Sequence, residues 1–219
     1  MAFADRVNGL ARRVPAWPLY WIGLALPVWL LWRGMNGGLG ADPVKAIERQ
    51  LGLWGLQLII AGLCVTPLRR FFGLNLIKFR RAIGVLAFAY VFLHFAAWLA
   101  LDLGLRWDLA LKDIVKRPYV TIGMVGLAVM LPLALTSNDW AVRKLGAPRW
   151  RRLQKLAYVA ALAGAVHYLW LVKAWPWEPI FYLAGVVALL GLRAIPNKRV
   201  TRAPIPASAD GARKNQHLI

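Results

Sequence analysis

The stretch LQKLAYVAALAGAVH, residues 153–167, decides the fold of this chain together with a matching stretch, RRAIGVLAFAYVFLH, residues 80–94. Each stretch ends in a histidine and carries mostly small residues 3, 7 and 10 positions before it. Steps of three and four residues return to one face of an α-helix. We therefore predict two helices, each with a shallow groove of small side chains beside an imidazole. Two such faces could hold a flat cofactor between His94 and His167.

The composition indicates a membrane protein. Of the 219 residues, 60% are hydrophobic, and the mean hydropathy is +0.53, which is too apolar for an ordinary soluble domain. The net charge of +19 would favour a nucleic-acid partner in a soluble protein. Here the basic residues lie between apolar runs, as membrane topology requires. We therefore predict a lipid bilayer as the surroundings and no nucleic-acid partner.

Apolar runs of nearly the length that spans a bilayer, about 20 residues, predict an all-α integral membrane protein with a bundle of six transmembrane helices. The predicted spans are residues 17–33, 51–68, 82–103, 118–136, 153–173 and 176–193. Residues 17–193 thus form one transmembrane domain. A polar and basic segment, residues 1–16, precedes it, and a tail, residues 194–219, has the composition of a disordered segment.

The distribution of Lys and Arg predicts the orientation of the bundle. These residues are in excess in the N-terminal segment, in the second and fourth connections and in the tail, whereas the connections at 34–50 and 104–117 mix both charges. An excess of Lys and Arg marks the cytoplasmic face, so both termini are predicted to be cytoplasmic. His94 and His167 then lie on two outward-running helices, each about 18–21 Å from the cytoplasmic end.

Two histidines at equal depth favour ligation of one haem iron from both sides. Two axial imidazoles fill the coordination sphere of the iron, which favours electron transfer over oxygen chemistry. In the alternative interpretation each histidine only bonds to a neighbouring helix, and the small residues only allow close helix packing. Zinc is disfavoured because these helices offer no third ligand nearby.

Several motifs, in order along the chain, carry a resemblance to a known family. They are VTPLRR at 65–70, Arg80-Arg81 before Gly84, Tyr90 and His94, TSND at 136–139, RKLG at 143–146, and Trp150 to Leu153 before Tyr158 and His167. The chain resembles the MsrQ family, the haem-binding membrane subunits of the periplasmic methionine sulfoxide reductase system. This family belongs to the ferric-reductase-like transmembrane domain superfamily.

The resemblance implies a b-type haem protein of the bacterial inner membrane. Members of the family pass electrons from the quinone pool to a periplasmic, molybdopterin-containing catalytic subunit, with which they form a heterodimer. That subunit reduces methionine sulfoxide in oxidised periplasmic proteins. The family is also associated with FMN. The resemblance therefore implies an electron-transfer subunit of an oxidoreductase complex, without catalytic residues of its own.

One position departs from the family pattern. Relatives usually have a histidine where this chain has Gln154, and the corresponding inner position on the other helix is Arg80. Neither side chain is a usual haem ligand, and Arg stays protonated. We therefore predict one haem b, ligated by His94 and His167, and we predict Arg80 and Gln154 as contacts for a quinone or a flavin on the inner side.

Two other functions stay open at this point. One is a stand-alone, quinol-dependent transmembrane reductase that uses another acceptor, for example ferric iron. The other is a non-redox role as a small transporter or scaffold, in which the histidines only pack.

Overall fold

A computed structural model describes residues 2–172 and 176–195, and this part of the chain is helical, with no β-strand. A short 3₁₀ turn, Ile77–Phe79, precedes α4, and a π-helical turn, Trp98–Asp102, follows it. The α-helices are α1 (Ala2–Arg13), α2 (Pro18–Met35), α3 (Pro43–Phe72), α4 (Arg80–Ala97), α5 (Trp107–Lys116), α6 (Pro118–Leu135), α7 (Asp139–Leu145), α8 (Ala147–Leu153), α9 (Leu156–Leu171) and α10 (Trp177–Ala194).

The helix ends follow local sequence signals. The Asp42 side chain accepts a hydrogen bond from the Lys45 backbone N–H, and Pro43 occupies the first turn of α3. This combination of an acidic cap and an N-terminal proline favours a helix start. Gly73 ends α3 with φ 70°, a left-handed conformation that glycine adopts without a steric penalty. The Asn138 side chain caps α7 in the same way as Asp42 caps α3.

Four helical segments are long and apolar enough to cross a membrane: Pro43–Phe72, Ile77–Asp102, Pro118–Leu135 and Trp177–Ala194. A fifth is present if Phe3–Arg13 and Pro18–Met35, which meet at 83°, form one broken span. Helix α9 has 16 residues, fewer than the about 20 that cross the hydrocarbon region unaided. The described residues thus support an all-helical membrane protein with four or five candidate spans, and the predicted count of six is supported only in part.

The bundle is built mainly from two antiparallel pairs, α3 with α4 and α6 with α9. Helix α10 packs against α9 and α3, and α2 packs against α3 and α4. Ala87, Met130 and Ala160 form one buried cluster where α4, α6 and α9 meet. Small residues at such positions let helix backbones approach closely. Large apolar side chains such as Trp21 and Phe181, 72% and 69% exposed, face outward, as lipid-facing positions do.

Several segments outside the predicted spans are helical, among them α7 and α8 in the connection before α9. Residues 43–50 form the beginning of α3, residues 107–116 form α5, and most of the N-terminal segment forms α1. A search for long apolar runs does not detect such helices, because α1 and α5 alternate polar and apolar residues at helical spacing. The predicted disordered tail lies almost wholly outside the described residues, as does residue 173 at the end of the fifth predicted span.

Candidate functional site

The structure brings the His94 and His167 side chains together between α4 and α9. Their ring centroids are 6.2 Å apart, and the ring planes meet at 73°. The two residues are 73 positions apart in the sequence, and each belongs to a different helix pair. The two adjacent rings therefore lie where the helix pair α3 and α4 meets the helix pair α6 and α9.

A backbone carbonyl fixes each imidazole. His94 Nδ1 lies 2.8 Å from the carbonyl oxygen of Glu48, and His167 Nδ1 lies 2.7 Å from that of Tyr119. A carbonyl oxygen only accepts hydrogen bonds, so each Nδ1 carries the proton and donates it. Within the described residues Nε2 of each ring has no hydrogen-bond partner. Both imidazoles are thus held in the tautomer whose Nε2 lone pair is available to a metal.

Two glycines make room for the imidazoles. A Cβ atom built on Gly52 would lie 3.0 Å from His94 Nδ1, and one built on Gly123 would lie 2.9 Å from His167 Nδ1. Each glycine follows the residue with the accepting carbonyl by four positions, which is about one helical turn. The carbonyl and the glycine therefore lie on the same helix face, and any side chain at the glycine would displace the ring.

The same arrangement occurs twice. On α3, Gly52 is followed by Gly55, which packs against Val91 of α4, and on α6, Gly123 is followed by Gly126, which packs against Ala163 of α9. This repeated glycine pair was not predicted from the sequence. The signal was present as Gly-x-x-Gly within two apolar runs, at 52–55 and 123–126. Residues of α3 and α6 are therefore part of the site although neither imidazole belongs to them.

The distance between the rings fits one metal ion between them. A metal–imidazole bond is about 2 Å long, and the coordinating nitrogen lies about 1.1 Å from the centroid of its ring. If both rings point at the metal along one axis, their centroids are therefore about 6.2 Å apart. The observed separation is 6.2 Å. Among the described residues, no group of three or more His, Cys, Asp or Glu side chains could hold a metal ion. The donor set therefore fits haem iron, which takes its other four ligands from the porphyrin.

An ionic cluster stabilises the surroundings of His94. Lys45 Nζ lies 2.7 Å from an Asp102 carboxylate oxygen and 3.6 Å from Glu48 Oε2. This cluster ties the beginning of α3 to the π-helical turn that follows α4. One turn before His94 on α4, the Tyr90 hydroxyl donates a hydrogen bond of 2.5 Å to the Gly23 carbonyl of α2. Helix α4 is therefore fixed on both sides of the histidine turn.

The structure places Arg80 and Gln154 in different surroundings. Arg80, at the beginning of α4, lines a cavity together with Tyr158 and Arg193. Gln154 follows α8, and its Nε2 donates a hydrogen bond of 3.5 Å to Thr136 Oγ1. Gln154 is not among the described residues that line the cavity. The two predicted inner contacts are therefore not brought to one site.

Known proteins resemble this chain over most of its length. The family model described as "Ferric reductase like transmembrane component" matches residues 50–165, a range that includes Gly52, His94 and Gly123. The "Protein-methionine-sulfoxide reductase heme-binding subunit MsrQ" of Brucella anthropi is 48% identical over 189 residues, 86% of either chain. The proteins of the same name from Brucella ovis and Brucella suis are 50% identical over 188 residues, covering 86% of this chain and 85% of theirs.

The family model matches more than half of the chain, and the relatives are near 50% identical over 86% of it. Both comparisons indicate the same helical membrane family, in agreement with the observed helix pairs. The chain therefore belongs to the MsrQ family of haem-binding subunits of methionine sulfoxide reductase, whose transmembrane component is ferric-reductase-like.

Proposed function

We propose that this chain is the electron-transfer subunit of a methionine sulfoxide reductase and that His94 and His167 are the axial ligands of one haem b. The observation that carries the proposal is the pair of adjacent imidazoles, whose centroids are 6.2 Å apart and each of which donates a hydrogen bond from Nδ1 to a backbone carbonyl. A haem held by His94 and His167 would supply a one-electron carrier. Membership of the family supports the same assignment.

The protein groups prepare the ligands. The carbonyls of Glu48 and Tyr119 hold the tautomer and orientation of each ring, and a hydrogen bond of this kind raises the basicity of the coordinating nitrogen. Gly52 and Gly123 leave the space in which the rings lie. Because these groups are backbone atoms of packed helices, the two rings are held in position by the protein alone.

The proposal extends to the electron path and its location. Electrons come from quinol in the bacterial inner membrane, and the acceptor is a periplasmic catalytic subunit that contains molybdopterin. Both termini lie in the cytoplasm, and α5 and the residues before α3 face the periplasm. The charge distribution supports this orientation. The binding of FMN stays a prediction from the family resemblance. The same holds for the prediction that Arg80 and Gln154 contact a quinone or a flavin.

The absorption spectrum of the purified chain tests the haem assignment. We expect a Soret band that shifts on reduction and a pyridine haemochrome content of one haem per chain. Replacing His94 or His167 by Ala should abolish that band, because each removes one axial ligand. His217, the third histidine of the sequence, offers a matched control, and His217→Ala should keep the full haem content. A chain without a reducible Soret band after expression with sufficient haem would refute the proposal.

The matched family name favours one second candidate, a stand-alone transmembrane reductase that delivers electrons to ferric iron. The acceptor separates the two functions. Membranes with this chain alone, supplied with a quinol and ferric citrate, should show no more iron reduction than membranes with His94→Ala. The same membranes with the catalytic subunit should reduce methionine sulfoxide in a protein substrate. Iron reduction that depends on His94 and needs no partner would instead support the second candidate.

A further inference from the structure

A cavity of about 160 Å³ lies at the end of the bundle where α4 begins, far from the histidine pair. Its walls come from α3, α4, α9 and α10, and its polar lining includes Thr66, Arg70, Arg80, Tyr158 and Arg193. Arg80 precedes His94 by 14 residues, which corresponds to about 21 Å along the helix axis. This cavity is therefore a separate site from the one that holds the histidines.

The cavity has a strong excess of positive charge. Among its described lining residues there are three guanidinium groups and no Asp or Glu. Within the described residues no carboxylate lies within 4.0 Å of Arg80 or Arg193. By contrast the neighbouring Arg81 pairs with Asp139 at 2.6 Å. Like charges that share one concave site repel each other, so an anion there would stabilise the fold.

Two of the guanidinium groups are held in place. Arg193 Nη2 donates to the Leu63 carbonyl at 2.6 Å, and its Nη1 donates to the Tyr158 hydroxyl at 3.1 Å. Arg70 Nη1 donates to the Ile195 carbonyl at 2.7 Å. These bonds fix the positions of the two charges before any ligand binds, which lowers the entropic cost of binding.

Further donors remain for a ligand. Arg193 Nε is buried and has no hydrogen-bond partner among the described residues, which is an expensive state for a charged donor. The Arg80 guanidinium makes no hydrogen bond or ion pair within the described residues, and this side chain is exposed at the mouth of the cavity. Carboxylate and phosphate are the two anions that match the arginine fork. Several guanidinium donors around one point favour phosphate, because it offers more acceptor oxygens than a carboxylate.

We propose that this cavity binds a phosphate group between Arg80, Arg193 and Arg70. The phosphate is either the diester in the headgroup of an anionic phospholipid or a soluble phosphate ester. The side chain of Phe71, 51% exposed, and that of Leu192 also line the cavity. Apolar side chains beside a basic site, at the end of membrane-spanning helices, suit a headgroup whose acyl chains run along the bundle.

The binding test uses the full chain in detergent and two probes. One arm adds phosphatidylglycerol or, as the neutral reference, phosphatidylcholine, and measures retained lipid by native mass spectrometry. The other arm adds inorganic phosphate or, at equal ionic strength, chloride, and measures the unfolding temperature. Retention of phosphatidylglycerol over phosphatidylcholine supports the headgroup source, and protection by inorganic phosphate supports the soluble source. Binding of neither probe above its reference would overturn the proposal.

A pair of matched variants shows whether the cavity is responsible. Arg80→Gln should weaken binding by about tenfold, because a charge-assisted hydrogen bond is lost. Arg152→Gln removes one positive charge from an exposed position outside the cavity and should leave binding unchanged. Equal weakening by both variants would show a diffuse basic surface and would overturn the site. If circular dichroism shows that Arg80→Gln is unfolded, Arg80→Lys is tested in its place, since Lys keeps the charge and loses the planar fork. Unchanged binding by Arg80→Lys would likewise count against the site.

Discussion

The two helix pairs, α3 with α4 and α6 with α9, present their histidines with the same backbone device but in different side-chain surroundings. In the first pair the residue whose carbonyl holds the imidazole is Glu48, and its carboxylate belongs to an ionic cluster with Lys45 and Asp102. In the second pair that residue is Tyr119, whose ring centroid lies 6.3 Å from that of His167. The shared device fixes the two imidazoles, and the surroundings make the two imidazoles unequal.

This difference indicates which parts of the site are interchangeable. A carbonyl oxygen and a glycine one turn later are needed wherever an imidazole must be held between two helices, because their function depends on backbone position and on the absence of a side chain. The side chains of Glu48 and Tyr119 are not needed to hold the rings, because the backbone carbonyls of these residues do so. They are therefore free to set the local electrostatics of each half, and variants of the two halves should separate the two roles.

The largest effect is expected at the two glycines. Gly52→Val and Gly123→Val should each remove most of the bound haem, because the first added carbon already lies 3.0 Å and 2.9 Å from the imidazole nitrogens. Haem content per chain, from the pyridine haemochrome spectrum, measures the effect. Gly185→Val serves as the control, because a Cβ atom there meets nothing within 4 Å.

If the two helix pairs are equivalent in this respect, Gly52→Val and Gly123→Val lose haem to a similar extent. Full haem content in either variant would show that the two rings are held by different means, and the comparison between the pairs would fail.

An intermediate effect is expected in the ionic cluster, which only the first pair has. Lys45→Met leaves the Glu48 and Asp102 carboxylates without their cation, and the added negative potential near His94 favours the oxidised haem. The midpoint potential should fall by tens of millivolts, on the order expected for one charge about 10 Å away. A potentiometric titration of the Soret band measures it.

The corresponding variant of the second pair is Arg117→Met. Arg117 is exposed and forms an ion pair with Asp113 at 3.3 Å, so solvent screens its charge and the potential should change less than in Lys45→Met. An equal or larger shift in Arg117→Met would contradict the proposed asymmetry between the two histidines.

The smallest effect is expected where the first pair meets the connection that leads to α9. Arg81 of α4 donates to the Asp139 carboxylate of α7 at 2.6 Å, and this hydrogen bond holds the pKa of Asp139 below its ordinary value of 3.8. A lowered pKa in the folded state contributes stability above pH 3.8, and this stability is lost as the pH falls through the folded-state value.

Asp139→Asn should therefore lower the unfolding temperature slightly at neutral pH and remove the small part of the acid dependence that this carboxylate causes. Thermal unfolding between pH 7 and pH 3 measures both effects. An unfolding temperature that falls with pH as steeply in Asp139→Asn as in the unchanged chain would show that the Arg81 pair contributes nothing measurable.

The sequence predicted much of the fold because hydropathy is a local property. Every apolar run corresponds to a helix, and the two stretches with small residues before a histidine are the helices that bring the rings together. Amphipathic α5 and the first turns of α3 were missed because they lie outside the apolar runs. The repeated Gly-x-x-Gly pairs could have been read from the sequence as close-packing positions, although their histidine partners could not.

The sequence by itself determined where the long apolar helices lie and on which face of its helix each histidine lies, because hydropathy and the period of an α-helix are local properties. Only the tertiary structure decided that Glu48 and Tyr119, 46 and 48 residues before their histidines, supply the carbonyls, and that Arg80 shares a cavity with Arg193 and not with Gln154. The physical reason is that residue spacing along one helix decides on which side of that helix a side chain lies. The residue that it meets on that side depends on how separate helices rotate and pack against each other.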